Sequence, residues 1–330
     1  MTKNPKITVF GAGVWGSVLA QHLAKKGCPV VLWEHFPHVI NEIEKHDRHH
    51  PHIPHFRLDD SIRLTSSLEE AAKDIELGVL VISSKAVRKF AATLDAHLNG
   101  ATFPLVSASK GLEDGTGDTV CEVFESALPR FKDMVMALSG PTFAIEIAHA
   151  VPSRIVLAGN NDAILKETRA VIDGFPLRVE TSTDRRGVEW GGAAKNVFAI
   201  ACGIVDGMPN LGINTKAALF TQAMREMNAI ITAAGGKQET AYGLAAMGDL
   251  MLTGTGELSR NRKLGVKLAQ GKAVSQARGE INTVTEGADS AECIFGLIAK
   301  KGINAPVSAA VRKIIHDGAP PQTLMAALGF

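Results

Sequence analysis

The stretch Gly11–Gly16 reads G-A-G-V-W-G and follows directly on the apolar run Ile7-Thr8-Val9-Phe10. A glycine trio that leaves a strand and opens a helix is a dinucleotide fingerprint with a physical job. Gly11 allows the tight turn, Gly13 lets the backbone approach a pyrophosphate, and Gly16 lets the helix pack close to the strand. The helix N-terminus then presents N–H groups and a positive dipole end to the phosphates. Helical patterning continues through Ser17–Lys26, Gly27 is placed to end that helix, and Pro29 precedes a second apolar run, Val30–Trp33. Glu34 comes 18 positions after Gly16. An acid at about that distance holds the ribose hydroxyls and disfavours a 2′-phosphate. The competing reading is a glycine turn in an α/β domain without a cofactor.

Short apolar runs alternate with amphipathic segments through the first half, the signature of a mostly parallel sheet. Strands are predicted at Ile7–Phe10, Val30–Trp33, Ile62–Thr65, Gly78–Ile82, Phe103–Ser107 and Val135–Leu138. Two more are expected at Arg154–Ala158 and Leu177–Glu180. The grammar changes near Asp184. From Gly187 onward helical patterns dominate, with Gly235-Gly236, Gly271, Gly302 and Gly318 as stops. The fold class expected is α/β: a Rossmann-like, mostly parallel sheet domain over residues 1–186, followed by an all-α substrate domain over residues 187–330.

With 330 residues the chain is long enough for two domains. Its 35 Lys and Arg against 34 Asp and Glu argue against a nucleic-acid partner or a polybasic membrane role. No apolar stretch reaches transmembrane length, and the N-terminus runs into the first strand without a signal-like segment, so a cytoplasmic protein without membrane insertion is expected. Cys28, Cys121, Cys202 and Cys293 are scattered, as reduced structural thiols are. Five histidines lie between His46 and His55. Pro51 and Pro54 interrupt them, so a solvated loop is expected there and no metal site.

Five spots place polar groups where strands end or helices begin. Lys110 follows the strand ending at Ser107, where open parallel sheets bind ligands; a surface lysine is the alternative. Ser139-Gly140-Pro141-Thr142-Phe143-Ala144 exposes backbone N–H groups at a strand-to-helix junction, or is an ordinary turn and cap. In Gly191-Gly192-Ala193-Ala194-Lys195-Asn196, Lys195 sits in an otherwise apolar helix. Desolvation there lowers a lysine pKa and suits a general acid/base, unless the side chain snorkels to solvent. Asp249, in Gly248–Thr253, could orient a lysine ammonium or cap a helix. Ser259-Arg260-Asn261-Arg262 opens a helix with an arginine, unfavourable there unless an anion is bound; a solvent-facing basic turn is the alternative. A hydride cofactor with these groups implies carbonyl/alcohol chemistry on a small phosphorylated or carboxylated substrate.

At this point the chain resembles the NAD(P)-dependent glycerol-3-phosphate dehydrogenases of the bacterial type, from G-A-G-V-W-G to Pro306. The likeness rests on an ordered series: K-G-L at Lys110–Leu112, S-G-P-T-F-A at Ser139–Ala144 and G-G-A-A-K-N at Gly191–Asn196. G-D-L with L-T at Gly248–Thr253, S-R-N at Ser259–Asn261 and T-E-G at Thr285–Gly287 complete it. The resemblance implies a C-terminal half like that of 6-phosphogluconate dehydrogenase. It also implies interconversion of dihydroxyacetone phosphate and sn-glycerol 3-phosphate with NAD or NADP, feeding phospholipid synthesis, by a homodimer. It implies that Lys195 is the general acid/base, with Lys110 polarising the substrate and Asp249 holding the lysine region. Thr253 and Asn196 would orient substrate hydroxyls, while Ser259, Arg260 and Asn261 would hold the phosphate. Gly140 and Thr142 match substrate contacts. Lys110, Ala144, Arg260, Val284 and Glu286 match cofactor contacts, beside Gly11, Gly13, Val14, Trp15, Gly16, Glu34 and His35.

The chain departs from the family pattern in the glycine loop, where Val14 stands in place of a common serine while Trp15 is kept. Glu34 stands where many members have a small residue, which points to NADH preference or weak discrimination, with His35 a partial offset. Gly254 and Gly256 replace larger residues in what reads as a loop. Two other readings stand beside this one: a related two-domain dehydrogenase acting on a hydroxy acid or ketopantoate, and a catalytically silent NAD-binding sensor.

Overall fold

The computed structural model describes residues 2–281 and 285–330. By contact the chain divides into two compact units. One holds the residues up to Ser109 together with Val120–Leu138 and Thr142–Arg185; the other holds Lys110–Thr119, Ser139–Pro141 and Arg186–Phe330.

The first unit is built on an eight-stranded sheet: β1 (Ile7–Phe10), β2 (Val30–Trp33), β3 (Arg63–Thr65), β4 (Leu77–Leu80), β5 (Leu105–Ser107), β6 (Val135–Ser139), β7 (Ser153–Ala158) and β8 (Leu177–Ser182). Its order is β3-β2-β1-β4-β5-β6-β7-β8. Parallel pairing joins β1 to both β2 and β4, β2 to β3, β4 to β5, β5 to β6, and β7 to β8. Every strand expected from the sequence is present. Strands β1, β2 and β4 are buried along their whole length, as apolar runs covered by helices on both faces are. The helices of this unit are α1 (Val14–Lys25), α2 (Pro37–Lys45), α3 (Leu68–Ala72), α4 (Val87–Leu98), α5 (Val120–Ala127), α6 (Ala144–Ala148) and α7 (Asp162–Ile172). Of these, α2 and α6 carry short apolar patterns that the sequence reading passed over.

Strand order reverses between β1 and β4, and the glycine loop leaves β1 at that switch point, where ligands bind in open α/β sheets. Gly11 has φ +114°, and a Cβ on it would meet the carbonyl oxygen of Val81 at 2.5 Å. A Cβ on Gly16 would lie 1.9 Å from the carbonyl oxygen of Gly11. Both positions therefore exclude any side chain.

The second unit contains α8 (Arg185–Gly207), α9 (Ile213–Ala233), α10 (Asp249–Thr255), α11 (Arg260–Ala269), α12 (Val274–Ile281), α13 (Glu286–Lys301), α14 (Pro306–His316) and α15 (Thr323–Leu328). No strand occurs beyond Gly187 among the described residues. Helix α8 is buried on all sides from Gly187 to Val205, which makes it the axis of this unit. It touches α11 backbone to backbone: a Cβ on Gly203 would fall 1.9 Å from the Arg262 carbonyl oxygen, and one on Gly265 2.0 Å from that of Ile200. Gly254 is a correction to the expected loop. It lies inside α10, where a Cβ would meet Cys202 Sγ and Phe220 at 2.9 Å, so the small residue serves helix packing.

Glu226 of α9, 1% exposed, fixes the entry to α14. Its carboxylate accepts the N–H groups of Val307 and Ser308 and the Ser308 hydroxyl, each at 2.8 Å. These N–H groups are the ones a helix start leaves unpaired, and the dipole favours the negative charge. Glu226→Ala leaves buried donors without acceptors and is expected to cost roughly 3–5 kcal/mol, read as a lower urea midpoint. Glu292→Ala, which removes an exposed partner of Arg312, is the control and should leave the midpoint close to the parent's.

Candidate functional site

In the second unit three charged side chains from distant parts of the sequence meet. Lys110 Nζ donates to Asp249 Oδ2 at 2.6 Å, and Lys195 Nζ donates to Asp249 Oδ1 at 3.0 Å. Lys195 is 5% exposed and Asp249 1%. Lys195 therefore does not snorkel, because α8 has no solvent face at that position. Asp249 does not cap a helix with its side chain. A single π-helical turn, Leu244–Gly248, delivers it to the first position of α10, with both carboxylate oxygens turned to the lysines. Thr253, one turn on, donates its hydroxyl to the Asp249 carbonyl oxygen at 2.6 Å.

Burial pulls the Lys195 pKa down from its ordinary value to about 8; the Asp249 carboxylate opposes this and the Lys110 ammonium adds to it. Two ammonium groups around one carboxylate leave an excess positive charge in a desolvated place. Such a place favours an anion or an oxygen that gains negative charge.

The residue after Lys195 extends the network. Asn196, 2% exposed, reaches Glu286 Oε2 from its amide at 3.4 Å. Glu286 opens α13, and burial raises its pKa while the Arg260 guanidinium opposes the rise. Arg260 is the exposed first residue of α11. Ser259 before it is the N-cap, its oxygen accepting the Arg262 N–H at 3.2 Å. Asn261 gives its side-chain oxygen to the Gly287 N–H at 3.1 Å, which leaves its amide group for a ligand. At Gly287 a Cβ would lie 2.5 Å from the Asn196 carbonyl oxygen, so T-E-G needs its glycine to bring Glu286 beside α8. Gly140 takes φ +147° just after β6. Beside it the buried Ser139 hydroxyl has no hydrogen-bond partner among the described residues; the sequence motif includes Ser139 but gives its hydroxyl no role. Thr142 belongs to the first unit by contact, and Ala144 begins α6 there. Val284 lies outside the described residues.

The first unit carries the expected dinucleotide features. Gly13 is the N-cap of α1, is exposed, and has nothing within 4 Å of an added Cβ, so its backbone is open to close approach. No side chain caps α1, whose first-turn N–H groups are left for an anion. Val14 and Trp15 are half-buried at the start of that helix. Glu34 follows β2, and its Oε2 accepts the Ala12 N–H at 2.9 Å. His35 is exposed and lies against Trp33, with ring centroids 6.1 Å apart. An open glycine backbone, an uncapped helix start and a carboxylate beside the loop fit the pyrophosphate and ribose of a dinucleotide.

Comparison with known proteins agrees with this geometry. Residues 6–165 match the N-terminal family profile of NAD-dependent glycerol-3-phosphate dehydrogenase, and residues 184–326 match its C-terminal profile. The chain is 38% identical to an NAD(P)+-dependent glycerol-3-phosphate dehydrogenase of Citrifermentans bemidjiense over 94% of this chain and 93% of that protein. It is 40% identical to one from Trichlorobacter lovleyi over 96% and 94%. A crystal structure of glycerol-3-phosphate dehydrogenase from Coxiella burnetii, 32% identical, superposes with a TM-score of 0.91 over 99% of this chain and 98% of that one. The chain belongs to the NAD-dependent glycerol-3-phosphate dehydrogenase family.

Proposed function

We propose that this chain interconverts dihydroxyacetone phosphate and sn-glycerol 3-phosphate by hydride transfer with NAD(P)H. In this reading residues 1–186 bind the cofactor and residues 187–330 the substrate, in a homodimer. The observation that carries it is the buried Lys195–Asp249 pair with the half-buried Lys110 on its other oxygen, and the Lys195 pKa drawn down to about 8. NAD(P)H, when bound, supplies the hydride to C2. Lys195 holds its proton at Nζ and passes it to the substrate oxygen as that oxygen gains charge; in the reverse direction it takes the hydroxyl proton. Lys110 polarises the same carbonyl. Asp249 orients both ammonium groups and keeps Lys195 from losing its proton too readily.

Ser259, Arg260 and Asn261 hold the phosphate at the start of α11, where a cation would otherwise oppose the helix dipole. Binding the phosphate away from C2 uses its interaction energy to position the reacting carbon. Asn196 and Thr253 orient substrate hydroxyls, with Gly140 as a further contact. Arg260 and Glu286 on the second unit, and Ala144 on the first, match the family's cofactor contacts. The S-R-N and G-D-L motifs and the family membership favour this reading over a ketopantoate or hydroxy-acid dehydrogenase. The intact lysine pair disfavours a silent sensor.

Carbonyl reduction needs Lys195 protonated, so its kcat is expected to fall as pH rises through about 8. Alcohol oxidation needs the neutral amine and is expected to rise through the same value. Asp249→Asn removes the largest influence raising the Lys195 pKa, so the limb of the reduction profile should move to lower pH. Lys195→Met is expected to lower kcat by roughly 10²–10⁴-fold with NADH affinity unchanged; retained turnover rejects the acid/base assignment.

The Glu34 carboxylate repels a 2′-phosphate, and cofactor choice follows. With dihydroxyacetone phosphate saturating, kcat/KM for NADH is expected to equal or exceed that for NADPH. A strong NADPH preference overturns this.

A further inference from the structure

The histidines between His46 and His55 are not alike. His46, His49, His52 and His55 are exposed, as a solvated loop would have them, but His50 is 4% exposed. Its ring Nε2 lies 3.3 Å from the Ala12 carbonyl oxygen, in the glycine loop. Its Nδ1 accepts the His52 N–H at 3.1 Å. A neutral ring that accepts at Nδ1 carries its proton on Nε2, so His50 donates to Ala12. Burial lowers its pKa and keeps the ring neutral. The segment around it is tied down. The His50 N–H donates to the Phe56 carbonyl oxygen at 3.0 Å, His49 bridges Arg57, and Ile53, Phe56 and Leu58 are buried.

Ala12 is thus held on both sides by side chains from outside the loop. Its N–H donates to Glu34 Oε2 at 2.9 Å, and its carbonyl oxygen takes the His50 proton and the Ser17 hydroxyl, the latter at 3.2 Å. The second carboxylate oxygen of Glu34 accepts the Phe36 N–H at 3.3 Å, which stops the carboxylate from turning. The peptide joining Ala12 to Gly13 is trans and planar, so the Gly13 N–H points opposite to the Ala12 carbonyl. Fixing that carbonyl fixes the direction in which exposed Gly13 presents its N–H.

We propose that His50 is a positioning residue for the dinucleotide: with Glu34 it clamps Ala12 and so pre-aims the glycine-loop backbone at the pyrophosphate. This rests on the cofactor reading above and adds to it a residue that touches neither substrate nor cofactor. Pre-organisation of this kind lowers the cost of binding without changing the chemical step.

The test compares His50→Gln with His50→Asn. The glutamine amide reaches the place of Nε2 and can still donate to Ala12; the asparagine amide reaches only that of Nδ1. Titration calorimetry with NADH is expected to give a Kd about five- to tenfold weaker for His50→Asn and within twofold of the parent for His50→Gln. The KM for NADH should follow the Kd, while kcat and the KM for dihydroxyacetone phosphate stay within twofold. Amide hydrogen exchange across Gly11–Ser17 should quicken in His50→Asn alone. Equal NADH affinity in the two variants overturns the proposal, as does a parallel fall in kcat. If His50→Asn fails to fold, His50→Phe, which keeps the bulk and lacks the donor, replaces it with the same expectation; if His50→Gln fails to fold, the parent serves as the donor-retaining arm. Absence of dihydroxyacetone phosphate turnover in the parent overturns the proposed function and leaves the binding comparison intact.

Discussion

One carboxylate organises the chemistry of the second unit. Asp249 binds Lys195 through one oxygen and Lys110 through the other, at 3.0 and 2.6 Å. Removing a lysine from water is costly unless an opposite charge compensates. The compensation is incomplete, since Lys195 is drawn down only to about 8. Without the carboxylate, burial would draw the Lys195 pKa lower still. Such an intermediate value suits the acid/base role proposed for Lys195. The all-buried course of α8 and the π turn before α10 follow from the same need, because each brings a charged side chain to a place that water does not reach.

The small residues around this centre are the packing counterpart of that electrostatics. Gly203 and Gly265 let α8 and α11 touch through their backbones, and Gly287 lets α13 start against Asn196. Helices at such short range carry little side-chain volume between them. Polar residues can then converge: Asn196, midway along α8, meets Glu286 at the start of α13, and Asn261, near the start of α11, accepts the Gly287 N–H. Glycine in a helix interior carries an entropic penalty of about 0.5–1 kcal/mol relative to alanine. Its recurrence here is explained by proximity and not by flexibility.

Much of this was legible in the sequence, for identifiable reasons. The inner strands announced themselves because buried parallel strands are continuous apolar runs, whereas β3 and β8 at the sheet's two edges carry polar and exposed residues. Lys195 stood out because a charge inside an apolar helix has few explanations. Asp249 was visible as a charge able to orient a lysine, and the resemblance tied it to the lysine region, but the division of its two oxygens between Lys195 and Lys110 was not, since contacts across 54 and 139 positions leave no local pattern. Helix α10 was missed as a helix because Gly254 and Gly256 mimic a loop, and the packing role of Gly254 against Cys202 and Phe220 appears only in three dimensions. His50 was hidden in the opposite way. Four exposed neighbours of the same residue type made the whole stretch look solvated, and nothing in the local sequence distinguishes the one ring that turns inward.

The first unit has its own economy of charge. Glu34 has two roles in the proposed reading: its charge opposes a 2′-phosphate, and its Oε2 holds the loop's Ala12 N–H. These roles are separable in principle, because the first needs charge and the second only an acceptor. A glutamine at position 34 keeps the acceptor and discards the repulsion. An arginine or lysine, the usual partner of a 2′-phosphate, discards both. Cofactor preference in this chain is therefore coupled to loop rigidity, and a change toward NADPH by a basic residue alone would loosen the backbone that has to meet the pyrophosphate.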